Sequence, residues 1–355
     1  MEILINELYE LIKDHREDEG FMTVARVKAW ITQFNEDDRE FVLIETIHIL
    51  KKRYLSKEGG RTYVKYMIEY LTEMHKCGSV KEFMADSYFI NNQPQGKSQP
   101  MLLEFLNEVL KKEYSTSLDE CNAKSPKYII YLDDVLCTGE TIVKGLTDQK
   151  TGWFNQTNEN GRTNYEEYIK NDAHLVFAYL ATHTRSSNKL ANRLYFTMGK
   201  KDIKNVHYVW NTNFVVNNIY DEPNSNLNLL FPIQSDSESI KSCKEQIEKK
   251  INDRGYNLNK ITFRSLDKPV DEELFSSAEN RNRYELIVLE KSIECYNFIP
   301  NDNVRARPLG YGLYDDVSFG FGTMIFTWRN VPFNTPLLFW YPHNGWQPLF
   351  KREFT

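Results

Sequence analysis

The 355-residue chain is short of cysteine, and what it has is unpaired in pattern: Cys77, Cys121, Cys137, Cys243 and Cys295 are scattered, odd in number and form no CxxC. This argues against a disulfide scaffold and against a zinc site, and fits a reducing compartment. Long apolar runs are missing too. No stretch reaches the ~18 uncharged apolar residues of a membrane-crossing helix. The first residues, MEILINELYE, lack the basic start of a secretion signal, so a cytoplasmic location without membrane attachment is expected. Positive charge is not in excess, since the formal net charge is −6. A dispersed acidic balance argues against nucleic-acid binding through the whole surface and leaves room for a local basic patch. There is no internal repeat and no low-complexity tract. No Ser-His-Asp, Cys-His or metal-ligand spacing stands out, so no resident metal site is expected.

Aromatic residues are abundant, with 21 Tyr and 21 Phe, and hydrophobic residues make up 41% of the chain. Such a chain folds, and its length suits about two domains of the usual ~150 residues. The first part reads as helices. Val27, Trp30, Ile31 and Phe34 share a face, as do Leu43, Ile47, Leu50 and Tyr54, and Val64, Met67, Ile68 and Leu71. Gly59-Gly60 is expected to break two of these helices. A helical domain over 1–78 follows. Lys51, Lys52, Arg53, Lys57 and Arg61 are either a solvated face or the one place where these helices could touch nucleic acid.

From residue 79 onwards the pattern changes. EFMADSYFI, KYIIYL, HLVFAYLATH and NVHYVW read as strands, with a helix opening at Pro100 between the first two. Near-continuous apolar strands separated by helices predict an α/β layer with a mainly parallel sheet covered on both faces. Charged helices over about 221–300 read as an insertion into this second domain, which runs over 79–355. GTMIFTW and PLLFWYP read as closing strands.

The most informative stretch is YIIYLDDVLCTGET, Tyr128 to Thr141. Tyr128 to Leu132 is read as the strand, which puts Asp133 and Asp134 at its C-terminal edge, where open α/β sheets bind ligands. Successive strand residues point to opposite faces, so both carboxylates address one ligand only if the chain already turns there. Carboxylates only accept hydrogen bonds, and their natural partners are hydroxyls or a hydrated cation. Beyond them Gly139 permits a tight turn, Thr138 and Thr141 offer hydroxyls, and a helix beginning near Glu140 aims its first amides at an anion. Hydroxyls beside carboxylates, then a phosphate beside a turn, describe a ribose 5-phosphate.

This stretch resembles the signature of type I phosphoribosyltransferases: apolar strand, two acidic residues, T-G-x-T turn. The resemblance implies that Asp133 and Asp134 are the catalytic pair holding the ribose hydroxyls of phosphoribosyl pyrophosphate. It implies a 5-phosphate turn of Val135, Leu136, Cys137, Thr138, Gly139, Glu140 and Thr141, and a fold with a parallel sheet of phosphoribosyltransferase type. Mg2+ would arrive bound to the substrate. Cys137 and Glu140 depart from the small residues common at those places, and the charge of Glu140 repels an anion unless it turns outward. The helical start with RVKAWITQF and the tail with Asn334, Thr335, Trp340, Trp346, Pro348, Leu349 and Phe350 resemble the phosphoribosyltransferase-like effectors of bacterial conflict systems, some retron-linked.

Other segments admit two readings. Gly96, Lys97 and Ser98 are either the pyrophosphate loop or an exposed linker. His183 and Arg185 read as part of a polar, helix-capping loop, with a place at the site as the sharper alternative. Asp315 and Asp316 lack a preceding apolar strand and read as a Gly-rich connection. The tail aromatics read as core rather than a base-stacking platform. The expected protein binds phosphoribosyl pyrophosphate or a nucleotide ribose phosphate and acts as an antiviral effector. A catalytically silent, nucleotide-sensing module that signals to a partner protein is the alternative, and a salvage enzyme a weaker third reading.

Overall fold

The computed structural model describes residues 1–94, 97–121, 125–157, 161–198, 205–219, 225–255, 262–300, 302–312, 318–343 and 345–352. In chain order these form α1 Glu2–Ile12, α2 Val24–Ile31, α3 Glu36–Arg53, β1 Tyr54–Leu55, α4 Lys57–Met74, α5 Val80–Ala85, β2 Ser87–Phe89, α6 Ser98–Val109, β3 Tyr128–Leu136, α7 Glu140–Thr147, α8 Asn164–Lys170, β4 His174–His183, α9 Ser186–Met198, β5 Val206–Trp210, β6 Val215–Val216, α10 Glu238–Asn252, α11 Ala278–Tyr296 and β7 Phe326–Thr327. The fold is mixed α/β with a mainly parallel sheet, as the alternating pattern predicts. Two compact units result: Met1–Lys57 with Val216–Thr355, and Glu58–Val215. The units part at residue 57 rather than 78, and α10 and α11 fall in the same unit as the N-terminal helices.

In the first unit, α1 to α3 and α10 and α11 turn apolar stripes into one core. Thr23 caps α2 by accepting from the Arg26 amide at 3.1 Å, and Val27, Trp30 and Ile31 are its buried face. The tail joins this core. Trp340 and Trp346 are buried, and their indole N–H groups donate to Thr335 O at 2.7 Å and Leu338 O at 2.9 Å. Those bonds let an indole enter a core without stranding its N–H. PLLFWYP is therefore not a strand: Leu337–Phe339 forms a single 3-10 turn behind Pro336. GTMIFTW contributes only Phe326–Thr327, which pair in parallel with Tyr54–Leu55.

The break between α3 and α4 is this short pairing, not Gly59-Gly60, which lie inside α4. In a first helical turn the amides have no ladder partner in any case, so two glycines there end nothing. Glu272 to Ser277 likewise stays outside α11, which begins after Ser277 accepts from the Asn280 amide at 3.1 Å.

In the second unit the sheet order is β2-β3-β4-β5, all parallel, and β6 pairs with β4 off this path. β3 and β4 are buried almost throughout, which accounts for their unbroken apolar runs. The EFMADSYFI segment splits: its first residues belong to α5, capped by Ser79, and only Ser87–Phe89 is strand. Helix α6 opens at Ser98, two residues before Pro100, which sits in its first turn.

Candidate functional site

β3 does not end at Leu132. Its ladder with β4 runs on through Asp133↔Tyr179, Val135↔Ala181 and Leu136↔Thr182. The acidic pair therefore lies within extended backbone, not on a turn, and the two side chains leave opposite faces of the strand. Asp133 is buried and Asp134 half-buried. Asp134 Oδ1 accepts from the Val135 amide at 2.7 Å, which curls that carboxylate against its own backbone.

Asp133 is enclosed by neutral donors. Ser98 Oγ donates to Oδ1 at 2.6 Å, the Asp134 amide to Oδ1 at 2.9 Å, and Gln93 Nε2 to Oδ2 at 2.9 Å. Burial, then the repulsion of Asp134, pushes its carboxyl up to about 7, against the pull of these donors. No cation pairs with Asp133 among the described residues.

The Ser98 contact brings two sequence candidates together, Ser98 at the start of α6 and Asp133 of the acidic pair. The loop before α6 is well anchored. Buried Gln99 accepts from the Asn92 and Gln93 amides at 3.0 and 3.2 Å, and Asn92 Nδ2 donates to Gly145 O of α7 at 2.6 Å. Lys97 is half-buried beside Ser98, and Gly96 lies outside the described residues.

The turn after β3 is built as its residue types require. Gly139 adopts φ +69°, and an added Cβ would meet the Leu190 side chain at 3.2 Å, so only glycine fits easily. The Thr138 hydroxyl accepts from the Glu140 amide at 3.4 Å. The first helical bond of α7 runs from the Val143 amide to Gly139 O at 2.9 Å, so the amides of Glu140, Thr141 and Ile142 precede the ladder. Thr141 is exposed, while Cys137, Thr138 and Glu140 are half-buried.

The floor of the turn is fixed from β4. His183 is fully buried, with Nδ1 3.2 Å from Leu136 O and Nε2 3.9 Å from Cys137 Sγ. Burial pushes it down to about 4, so it is a neutral ring. Ser186 Oγ donates to Cys137 O. His183 thus braces the turn from below, Arg185 is half-buried on the same connection, and Ser186 opens α9. Gln93 and Ser186 escape sequence reasoning. Both stand in visibly polar loops, but nothing local says which carboxylate or carbonyl each reaches.

Of the other candidates, Asp315 and Asp316 lie outside the described residues. The basic cluster is held largely by its own surroundings. Lys51 pairs with Glu7 at 2.7 Å, Lys52 donates to Glu273 O at 2.5 Å, Arg61 lies 3.7 Å from Glu58 and 3.6 Å from Glu108, and Arg53 is buried. That favours the solvated-face reading. No helix among the described residues is long and apolar enough to cross a membrane.

A family model described as PRTase-CE matches residues 27–352. Neither a search of curated proteins nor one of solved structures gave a match.

Proposed function

Because the chain belongs to the PRTase-CE family and is a phosphoribosyltransferase-like protein, we propose that it binds phosphoribosyl pyrophosphate, or the ribose phosphate of a nucleotide, at the C-terminal edge of β3. The observation that carries this is the Ser98–Asp133 hydrogen bond at 2.6 Å. It joins the start of α6 to Asp133, and β3 leads straight on into the glycine turn and the start of α7. Half-buried Asp134 is the carboxylate that ribose hydroxyls would reach, while Asp133, on the opposite face of β3, is held by Ser98 and Gln93. Thr138, Thr141 and the leading amides of α7 suit the 5-phosphate. Lys97 and Ser98 suit the pyrophosphate.

Asp133, raised to about 7 with no cation beside it among the described residues, also suits a hydrated dication. Magnesium would come as the substrate's own complex, near Asp133, and would offset charge on the departing pyrophosphate. The chain's own part in displacement at the anomeric carbon is to hold the two reactants and to exclude other geometries. No side chain of the site is assigned as a general base.

The biological role we propose is that of an effector in bacterial antiviral defence, supported by the resemblance of the N-terminal and tail segments. A silent nucleotide sensor that signals to a partner protein is the second reading, and Glu140 favours it, because a carboxylate at the first position of α7 opposes an anion there. Calorimetric titration with phosphoribosyl pyrophosphate and Mg2+ separates the cases. Binding that weakens in Asp134→Ala supports the site, and turnover of the bound ligand then selects effector over sensor. No binding by the intact chain would overturn the assignment.

A further inference from the structure

We propose that His75, His174 and His207 form a binding site for a transition-metal dication of the zinc and cobalt class at the N-terminal edge of the sheet. The inference is independent of the phosphoribosyl reading, since Asp133 and the turn stand at the other end of β3. The three rings come from three elements. His75 directly follows the last turn of α4, its amide donating to Leu71 O at 3.1 Å. His174 opens β4, and His207 is the second residue of β5. One donor atom from each falls within 4.8 Å of the others.

His174 Nδ1 and His207 Nε2 are 2.9 Å apart, so one of them carries the proton shared between them. The His75 ring centroid is 4.7 Å from that of His174 and 5.5 Å from that of His207. Two nitrogens bound to one tetrahedral zinc at ~2.0–2.1 Å stand about 3.3 Å apart. Replacing the shared proton by a metal thus asks the two rings to separate by only about 0.4 Å, a small movement for side chains.

A second observation points to a ligand rather than to ring packing alone. His75 Nε2 is buried and has no hydrogen-bond partner among the described residues. Packing against the tilted ring of Tyr128, 4.2 Å between centroids and 41° between planes, covers the ring of His75 but gives this atom no partner. A buried polar atom left without a partner costs about 1–3 kcal/mol, and a metal is a partner that all three rings share. The rings are half-buried, so water can complete the coordination. Imidazole is a natural ligand for this class of metal, in its neutral form.

The test uses the full-length protein and Zn2+ or Co2+ alone. Equilibrium dialysis with metal analysis should find one ion per chain. His75→Gln or His207→Gln should weaken uptake at least tenfold, while His48→Gln binds like the intact chain. The unfolding midpoint of the intact chain should rise with Zn2+ concentration, and that rise should vanish in His75→Gln. One readout needs no variant. Zn2+ should shield His75, His174 and His207 from diethyl pyrocarbonate, mapped by mass spectrometry, and leave the other four histidines unchanged. Absence of stoichiometric uptake, uptake that survives replacement of all three, or absence of that shielding would overturn the proposal.

Discussion

Glu285 in the first unit and Asp133 in the second are both buried carboxylates, and their surroundings differ in kind. Glu285 receives Arg281 Nη1, one helical turn back, at 3.0 Å, Arg264 Nη2 at 2.9 Å, and the Phe231 amide at 3.0 Å. Arg281 in turn holds Glu272 and donates to Leu227 O and Leu229 O at 2.7 and 3.0 Å. Burial pushes the Glu285 carboxyl up, and both guanidiniums pull it back. For Asp133 the second influence after burial is another carboxylate, and it pushes the same way. One network is complete within the chain and fixes α11 to the loops beside it. Asp133 has neutral donors and, among the described residues, no cation paired with it, which is what the proposed ligand site requires and a structural network does not.

The contrast breaks most visibly through stability. Glu285→Ala leaves two buried guanidiniums without their carboxylate and should cost about 3–5 kcal/mol in urea unfolding. A loss below about 1 kcal/mol would mean that the network is not structural.

Asp133 should do the opposite, with a pH signature. Its folded value of about 7 lies above the ordinary 3.8. Between those values the folded chain keeps a proton that the unfolded chain has released, so stability falls as pH rises and the full penalty applies above pH 7. Asp133→Asn should remove a fall of about 4 kcal/mol between pH 4 and 7, and so be more stable than the native chain at pH 8. Equal pH slopes in both proteins would show that Asp133 titrates normally.

A third experiment sharpens the contrast on the ligand side. Asp134→Ala should weaken phosphoribosyl pyrophosphate binding by about 1.5–3 kcal/mol, roughly 10- to 150-fold, and Glu285→Gln should leave it unchanged if still folded. Affinity of the native chain should also drop as pH falls below about 7 and Asp133 takes up its proton. The smallest effect concerns the turn. Gly139→Ala places a Cβ at φ +69° against Leu190 and should cost about 1–2 kcal/mol of stability. A neutral result would remove the need for glycine at the helix entrance.

Much of this site is legible in the sequence because its signals are local. An apolar run, a glycine at a left-handed position and a following helical period are set by neighbours a few residues away, so residue order alone places β3, Gly139 and α7. It does not place the end of β3. Val135 and Leu136 stay extended because Ala181 and Thr182 offer ladder partners, and those lie across the sheet. The same kind of cause defeats the break expected at Gly59-Gly60, which a pairing between Tyr54–Leu55 and Phe326–Thr327 makes instead. PLLFWYP carries strand-like composition and forms a 3-10 turn, because core packing of its indoles wins.

By itself the sequence determined the alternation of strand and helix and the order of acidic pair, turn and helix start. Each depends on residue type and short-range period. Only the tertiary structure decided that Ser98 meets Asp133, that Asp133 is surrounded by neutral donors and a second carboxylate, and that three histidines distant in the chain converge at one sheet edge. Those outcomes follow from parallel strands, which align residues far apart in sequence and bring together groups that no spacing rule connects.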